Sequence, residues 1–231
     1  MLWETIKAGG WMMIPLMFFS VLAIGVAIDR ALAFLNYRKV DSRSLRSRLL
    51  ELVGEGRIDE AAQLCADTPG PVSAVLLVGL QSYKKHRPLT DRADDLIDVM
   101  EKSMDDYAQH AISAVGKRMS VLSTIGNAAP LLGMTGTVVG MIMAFDELAQ
   151  AGGFEAGGRV AQGISTALIT TAAGLIIALI AVIPYNYFTS LSNGIELEVE
   201  EATTELLDYV ATRVEGKRST APATAATAPT A

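Results

Sequence analysis

The sequence predicts an all-α membrane protein with three transmembrane helices. Three windows contain no Asp, Glu, Lys or Arg: residues 8–28, 119–145 and 160–195. Each is long enough to supply the about 20 apolar residues that cross a hydrocarbon core of roughly 30 Å. A soluble chain of 231 residues is too small to bury three such helices and also cover them. The composition, with 51% hydrophobic and 19% charged residues, favours the membrane interpretation.

The first window predicts an uncleaved membrane anchor rather than a secretory signal. Its leader, MLWETIK, carries one acidic and one basic residue, so the basic region that opens a signal peptide is missing. Basic residues follow the window instead, beginning with Arg30 and Arg38.

The distribution of basic residues predicts the orientation of the spans. Lys and Arg follow the first window, precede the second at Lys117 and Arg118, and follow the third at Lys217 and Arg218. The link between the second and third windows is mainly acidic. The positive-inside rule therefore places the N-terminus and this link in the periplasm, and the C-terminus in the cytoplasm.

These patterns divide the chain into seven segments, including long cytoplasmic helical extensions. The third apolar window continues helically through ELEVEEATTELLDYVATRVEG, and the Ala/Thr/Pro-rich end of the chain is typical of disorder. The predicted segments are the periplasmic N-terminus with the first span, 1–37; a cytoplasmic helical domain, 38–118; the second span, 119–145; a periplasmic link, 146–159; the third span, 160–188; a cytoplasmic helix, 189–216; and a disordered tail, 217–231.

The cytoplasmic domain reads as a series of helices with clear end signals. Asp41 or Ser42 can cap the first helix, and Gly54 and Gly56 can end it. Thr90 is a good N-cap for the last one. That helix carries an apolar stripe at spacings of three and four, and we expect it to run without a break from about residue 90 to about residue 145. The stripe consists of Leu96, Met100, Met104, Tyr107, Ala111 and Val115.

Small residues form a stripe on each of the last two spans. In lipid, small residues allow two helix backbones to approach closely, so these stripes predict tight helix packing. The glycines concerned are Gly133, Gly136 and Gly140 in the second span, and Gly163 and Gly174 in the third.

The same two spans carry polar but uncharged side chains at membrane depth. One interpretation is that each hydroxyl bonds to a carbonyl of its own helix; the other is that some of them line a polar path. Ion paths in membranes normally need an intramembrane ionisable group, and the middle of these spans has none. A partner would then have to supply it. The candidate pathway residues are Asn127, Thr137, Ser165, Thr166, Thr170 and Thr171.

Other classes of function leave no signal in the sequence. There is no Cys/His metal spacing, no phosphate-binding glycine loop and no nucleophile elbow, so we expect no enzyme activity, metal or cofactor. The single cysteine, Cys65, excludes an internal disulfide. The net charge of −6 gives no indication of a basic surface that could bind nucleic acid.

Four stretches together resemble the ExbB/TolQ/MotA family of proton-channel stator proteins, and ExbB most. They are GGWMMIPLMFFSVLAIGVAIDR, GRIDEAAQLCADTPGPVSAVLLVGL, STIGNAAPLLGMTGTVVGMIMAF and GISTALITTAAGLIIALIAVIPYNYF, and the resemblance covers roughly residues 8–210.

The resemblance implies an ion-driven motor in the bacterial inner membrane. It implies a homopentameric ring, surrounded by membrane lipids, whose second and third spans enclose a central pore. The pore would hold a dimer of single-span ExbD-like partners, which carry the titrating aspartate. The proton motive force would then energise TonB-dependent outer-membrane transport through a TonB-like protein.

The resemblance also implies roles for individual residues. Thr137 and Thr171 match the pore threonines of the family's second and third spans. Thr166, in GISTAL, stands where ExbB and TolQ commonly carry glutamate in GIxEAL. Two alternatives remain open: a related stator with TolQ-like envelope or motility output, and a membrane scaffold that conducts nothing.

Overall fold

The computed structural model describes residues 9–37, 41–88, 92–150 and 155–219. Within these ranges all regular structure is helical, which confirms the all-α prediction. The described residues form two compact units. The span unit draws on Met1–Leu35 and Gly116–Leu191, and the helical unit on Asn36–Val115 and Ser192–Ala231. The helices are α1 (Met13–Tyr37), α2 (Ser42–Glu55), α3 (Ile58–Asp67), α4 (Pro71–His86), α5 (Ala93–Val115), α6 (Met119–Gln150) and α7 (Glu155–Ser219).

Three helices of the described residues are long and apolar enough to cross a membrane. They lie at Met13–Leu35, Met119–Gln150 and within Val160–Arg213. The described residues therefore contain three candidate spans, as predicted, and each overlaps one of the three uncharged windows. α6 continues five residues beyond the uncharged window, because Asp146 to Gln150 are also compatible with a helix.

The span unit exposes many large apolar side chains. Large hydrophobic side chains that a water-soluble core would enclose are instead exposed along all three helices. On α1 this exposure covers most of the helix surface, which suits a helix surrounded by lipid. Examples are Ile14, Phe18, Val21 and Leu32 on α1, Leu131, Val138 and Ile142 on α6, and Leu168, Ile176 and Ile183 on α7.

The helical unit is held together by one hydrophobic core. α2 to α5 and the part of α7 after residue 192 bury their apolar faces against each other. The predicted stripe on α5 contributes, because Leu96, Met100 and Met104 are almost fully buried, whereas Tyr107 is exposed. The other core members include Leu49, Val53, Cys65, Val75, Leu76, Leu80, Val199, Ala202, Leu206 and Val210.

The predicted ends of α2 are confirmed. The Asp41 carboxylate accepts hydrogen bonds from the backbone N–H groups of Arg43 and Ser44, at 3.1 and 3.5 Å. Gly56 caps the other end in the left-handed conformation, with φ of 83°. The predicted cap at Thr90 and most of the predicted disordered tail lie outside the described residues.

The prediction of one helix from about residue 90 to about residue 145 is wrong. α5 ends at Val115, a turn occupies residues 116–118, and α6 begins at Met119. Arg118 has a φ of 69°, which no continuous right-handed helix allows. Its guanidinium forms an ion pair with Asp29 at 3.1 Å, and this contact accompanies the strained backbone. Gly116, which starts the turn, was the local signal for the break.

The buried position of Cys65 predicts an inert thiol. Its side chain is 2% exposed, and burial raises the pKa of the thiol from 9.0 to about 12. Because the thiolate is the nucleophile, iodoacetamide should label the folded chain much more slowly than the unfolded chain at pH 9. The pH of half-maximal labelling should move towards 12 in the folded chain. Equal rates in the two states, measured by mass spectrometry, would contradict the buried position.

Candidate functional site

The second and third spans cross with their backbones in direct contact. The closest approach joins Gly133 of α6 and Gly174 of α7. A Cβ atom built on Gly174 would lie 2.6 Å from the Ala129 carbonyl oxygen and 3.0 Å from the Gly133 Cα atom. A Cβ built on Gly133 would lie 3.1 Å from the Thr171 Cα atom. These neighbours are backbone atoms that cannot rotate away, so both positions require glycine.

Three further glycines continue the contact along the same two helices. Gly140 and Gly163 face each other, and a Cβ on either would lie 3.3 Å from the other's carbonyl oxygen. Gly136 receives the methyl group of Thr170. The five glycines that the sequence singled out for helix packing are therefore brought together in one continuous interface, which we name the glycine crossing.

Thr171 joins the two spans by a hydrogen bond. Its hydroxyl on α7 donates to the carbonyl oxygen of Gly133 on α6, at 2.9 Å, and the side chain is half-buried. This bond was not expected from the sequence, because the hydroxyl bonds to the neighbouring helix and not to a carbonyl of its own helix. It ties the hydroxyl to the closest point of the glycine crossing.

Thr170 is the most deeply enclosed of the candidate hydroxyls. The residue is 1% exposed. Its hydroxyl lies 3.1 Å from the Gly9 carbonyl oxygen and 2.9 Å from the carbonyl oxygen of Thr166. The turn before α1 is thereby attached to α7. Sequence reasoning missed Gly9, because nothing local in the sequence signals a partner 161 positions away.

The remaining candidate residues are Thr137, Asn127, Ser165 and Thr166. The Thr137 hydroxyl donates to the Met134 carbonyl oxygen at 2.6 Å, and the Asn127 amide donates to that of Ser123 at 2.9 Å. Ser165 is exposed, and Thr166 is half-buried. Within one chain, Thr137 and Asn127 thus show the bonding back to their own helix. A pore-lining role for any of the six residues remains a prediction.

The chemistry of the glycine crossing is limited to neutral hydrogen-bonding groups. Its hydroxyls can donate and accept hydrogen bonds and its carbonyls can accept them, but neither group titrates near neutral pH. Among the described residues, no three His, Cys, Asp or Glu side chains are grouped so that they could hold a metal ion. The described residues of the crossing therefore offer hydrogen-bonding groups and no group that titrates near neutral pH.

The fold and the site define a polytopic α-helical membrane protein with a tightly packed, uncharged pair of spans. The family model described as the MotA/TolQ/ExbB proton channel family matches residues 68–201. Since this match covers more than half of the chain, the chain belongs to that family.

Individual relatives agree with this membership. The chain is 30% identical over 191 residues to the ExbB-like 1 biopolymer transport protein of Synechocystis sp., covering 80% of this chain and 69% of the relative. It is 27% identical over 194 residues to the Tol-Pal system protein TolQ of Haemophilus influenzae, covering 81% and 84%. It is 37% identical over 103 residues to the biopolymer transport protein ExbB of Pseudomonas putida, covering 43% and 31%.

The glycine crossing predicts that Gly174→Ala destabilises the span unit. The added methyl group would overlap backbone atoms of α6, so we expect a loss of roughly 1–3 kcal/mol, typical of overpacking. Thermal unfolding of the purified chain in detergent measures this. Gly25→Ala is the matched control, because a Cβ on Gly25 of α1 meets nothing within 4 Å. A Gly174→Ala variant as stable as this control would contradict the close approach.

Proposed function

We propose that this chain is an ExbB-like stator subunit of an ion-driven motor in the bacterial inner membrane. The observation that carries the proposal is the pairing of a rigid, uncharged crossing with a hydroxyl at its centre. Family membership supplies ion conduction as the general activity. The crossing supplies an uncharged surface beside which a carboxyl group of a partner chain can gain and lose a proton.

The hydrogen bonds of Thr171 and Thr137 determine which groups of a partner these two side chains can bind. The Thr171 and Thr137 hydroxyls both donate to carbonyl oxygens, which can only accept. Each threonine oxygen therefore keeps its lone pairs for another donor. A protonated carboxyl group is such a donor, so these residues favour the neutral form of a neighbouring carboxyl. An ionised carboxylate can only accept a hydrogen bond, so the threonine hydroxyls would have to rotate away from their carbonyl partners to bond with it. This difference between the two forms of the carboxyl group can couple the gain and loss of a proton to movement.

The missing charge determines the kind of partner that we propose. The middle of each span contains no ionisable residue, whereas proton transfer across a membrane normally requires one. We propose that a dimer of single-span, ExbD-like partners supplies an aspartate inside a homopentameric ring of this chain. The N-terminus and the link around residues 146–159 would face the periplasm, and the helical unit would form the cytoplasmic extension.

The output that we propose is energisation of TonB-dependent outer-membrane transport. Several relatives carry the name ExbB, which supports this output. The similarity to TolQ of Haemophilus influenzae, which extends over 81% of this chain, favours envelope work as the second candidate. The identity of a single-span partner that binds the chain would separate the two outputs.

The proposal predicts that Thr171→Val and Thr137→Val abolish partner-dependent proton flux. Each change removes the oxygen that would accept a proton donor while it keeps the side-chain volume. The folding cost should stay near 1 kcal/mol, the usual net value of one hydrogen bond. Flux is measured with a pH-sensitive dye in liposomes that contain the chain and its partner. Assembly is checked by size-exclusion chromatography.

Two matched variants control this experiment. Thr171→Ser retains the hydroxyl and should retain most of the flux. Thr135→Val removes an exposed α6 hydroxyl that bonds back to Leu131, and it should leave the flux unchanged. Full flux in both Thr171→Val and Thr137→Val would remove these threonines from the ion path.

The flux assay also tests the non-conducting scaffold. A scaffold gives no flux with or without partner. Flux that requires the partner, and that disappears when the partner's membrane aspartate is changed to asparagine, would exclude the scaffold. Absence of flux in every combination, with an assembled complex, would favour it.

A further inference from the structure

Two arginines meet where the first and second spans reach their charged ends. The Arg30 Nη2 atom lies 2.8 Å from the Oδ2 atom of Asp29. The Arg118 Nη1 atom lies 3.1 Å from the same oxygen. The two guanidinium groups are therefore held side by side at one carboxylate. All of these residues belong to the span unit, with Arg30 on α1 and Arg118 in the turn before α6.

The surroundings of this pair add positive charge. Lys117 is exposed and forms no ion pair among the described residues. α6 begins directly after Arg118, so the partial positive charge of its N-terminus lies at the same place. We name Arg30, Lys117 and Arg118 the cationic cluster. Since Asp29 supplies one negative charge to three positive ones, the cluster can accept a second anion.

The acidic side chains that lie outside the described residues are separated from Asp29 by long stretches of helix. The shortest of these stretches precedes Asp29 on α1, where the helix from Met13 onwards spans about 24 Å. It separates Asp29 from Glu4. The stretches along α5, α6 and α7 are longer, and beyond them lie Asp91, Glu155 and Glu215. The positive charge of the cluster is therefore not neutralised by these residues.

The ion pair also sets the level at which charge begins on both helices. Asp29 is the first charged residue after the uncharged window 8–28, and Arg118 is the last before the window 119–145. Because the two side chains are in contact, both windows end at one level. In a bilayer, this level is the interface between the hydrocarbon core and the headgroups, where lipid phosphates lie.

An exposed apolar face leads from the cationic cluster along α1. Steps of four, three and four residues from Asp29 towards the start of the helix reach Gly25, Leu22 and Phe18, which therefore share one face. Leu22 is 36% exposed and Phe18 is 64% exposed. A Cβ atom on Gly25 would meet nothing within 4 Å, so the face is open there. This face is about 16 Å long and can accommodate an acyl chain.

We propose that the cationic cluster binds the phosphate group of an anionic phospholipid, whose acyl chain lies along the face of Phe18, Leu22 and Gly25. A free phosphate ion would use the charges alone, whereas a lipid uses the charges and the adjoining apolar face. The bound lipid would connect the turn before α6 to α1. The inference goes beyond the proposed function, because it depends on the spans and not on ion flux.

Native mass spectrometry of the purified full chain in a non-ionic detergent tests the site. Dioleoylphosphatidylglycerol and dioleoylphosphatidylcholine, which have the same acyl chains, are titrated in parallel and the bound lipids are counted. The wild-type chain should bind phosphatidylglycerol at least about tenfold more tightly, since each basic residue near a lipid phosphate contributes about fivefold. Lys117→Gln should lower this preference about fivefold.

A double variant, Lys117→Gln with Arg118→Asn, should abolish the preference. Asparagine is chosen because it tolerates the left-handed backbone of Arg118, whose φ is 69°. Circular dichroism and size-exclusion chromatography check that the variants fold. Lys117→Gln removes no ion pair of the described residues, so it decides the test if the double variant does not fold.

Lys85→Gln is the matched control, because it removes the same charge from an exposed position on α4. It should keep the preference. The proposal is overturned if the wild-type chain binds both lipids equally, if Lys117→Gln keeps the full preference, or if Lys85→Gln loses as much. Displacement of phosphatidylglycerol by equimolar inorganic phosphate would also overturn it, since the site would then recognise phosphate alone. No partner is involved, so failure here leaves the proposed stator function standing, and failure of the flux assay leaves this result standing.

Discussion

The contact between the Gly133 and Gly174 backbones is the constraint on which the span unit depends. Lipid offers no hydrophobic driving force between two apolar helices, so their association relies on close packing and on hydrogen bonds. Glycine at both positions brings α6 and α7 near enough for the Thr171 hydroxyl to reach the Gly133 carbonyl across the interface. The same closeness allows the Thr170 methyl group to pack on Gly136. A larger side chain at the contact would separate the helices and remove these interactions together.

The closeness of the crossing also explains why polar groups are tolerated at membrane depth. An unpaired hydroxyl in hydrocarbon costs free energy, and the hydroxyls of Thr137, Thr170 and Thr171 each have a carbonyl acceptor instead. Thr171 is bonded across the crossing, Thr170 lies within bonding distance of the turn before α1, and Thr137 is bonded within α6. Within the single chain the span unit thus satisfies these three hydroxyls, whereas the hydroxyl of Thr189 on α7 is buried without a hydrogen-bond partner. It still presents threonine oxygens that can accept one more bond, which the proposed function assigns to a partner's carboxyl group.

Sequence patterns predicted three apolar helices, because an uncharged window is a local feature, and they singled out the glycines that the structure places where α6 and α7 cross. Uncharged windows fix span length, and glycines at spacings of three and four fix one helix face. The break at Gly116 was missed because the apolar stripe of α5 outweighed one glycine. The partner of Thr170 was missed because Gly9 is far away in the sequence. Hydroxyl partners in general could not be predicted, since the same threonine can bond to its own helix or to a neighbour, and the choice depends on interhelical distance.

Native mass spectrometry tests the central claim most directly. The chain would be measured alone and after co-expression with a neighbouring gene product that has one span and an aspartate within it. The account predicts that the chain takes up a partner, since a neutral crossing needs a carboxyl group from another chain. The expected numbers, five copies of the chain and two of the partner, follow from the resemblance to ExbB. A monomer or dimer that does not bind the partner would contradict the stator function, although the helices and the glycine crossing would stand.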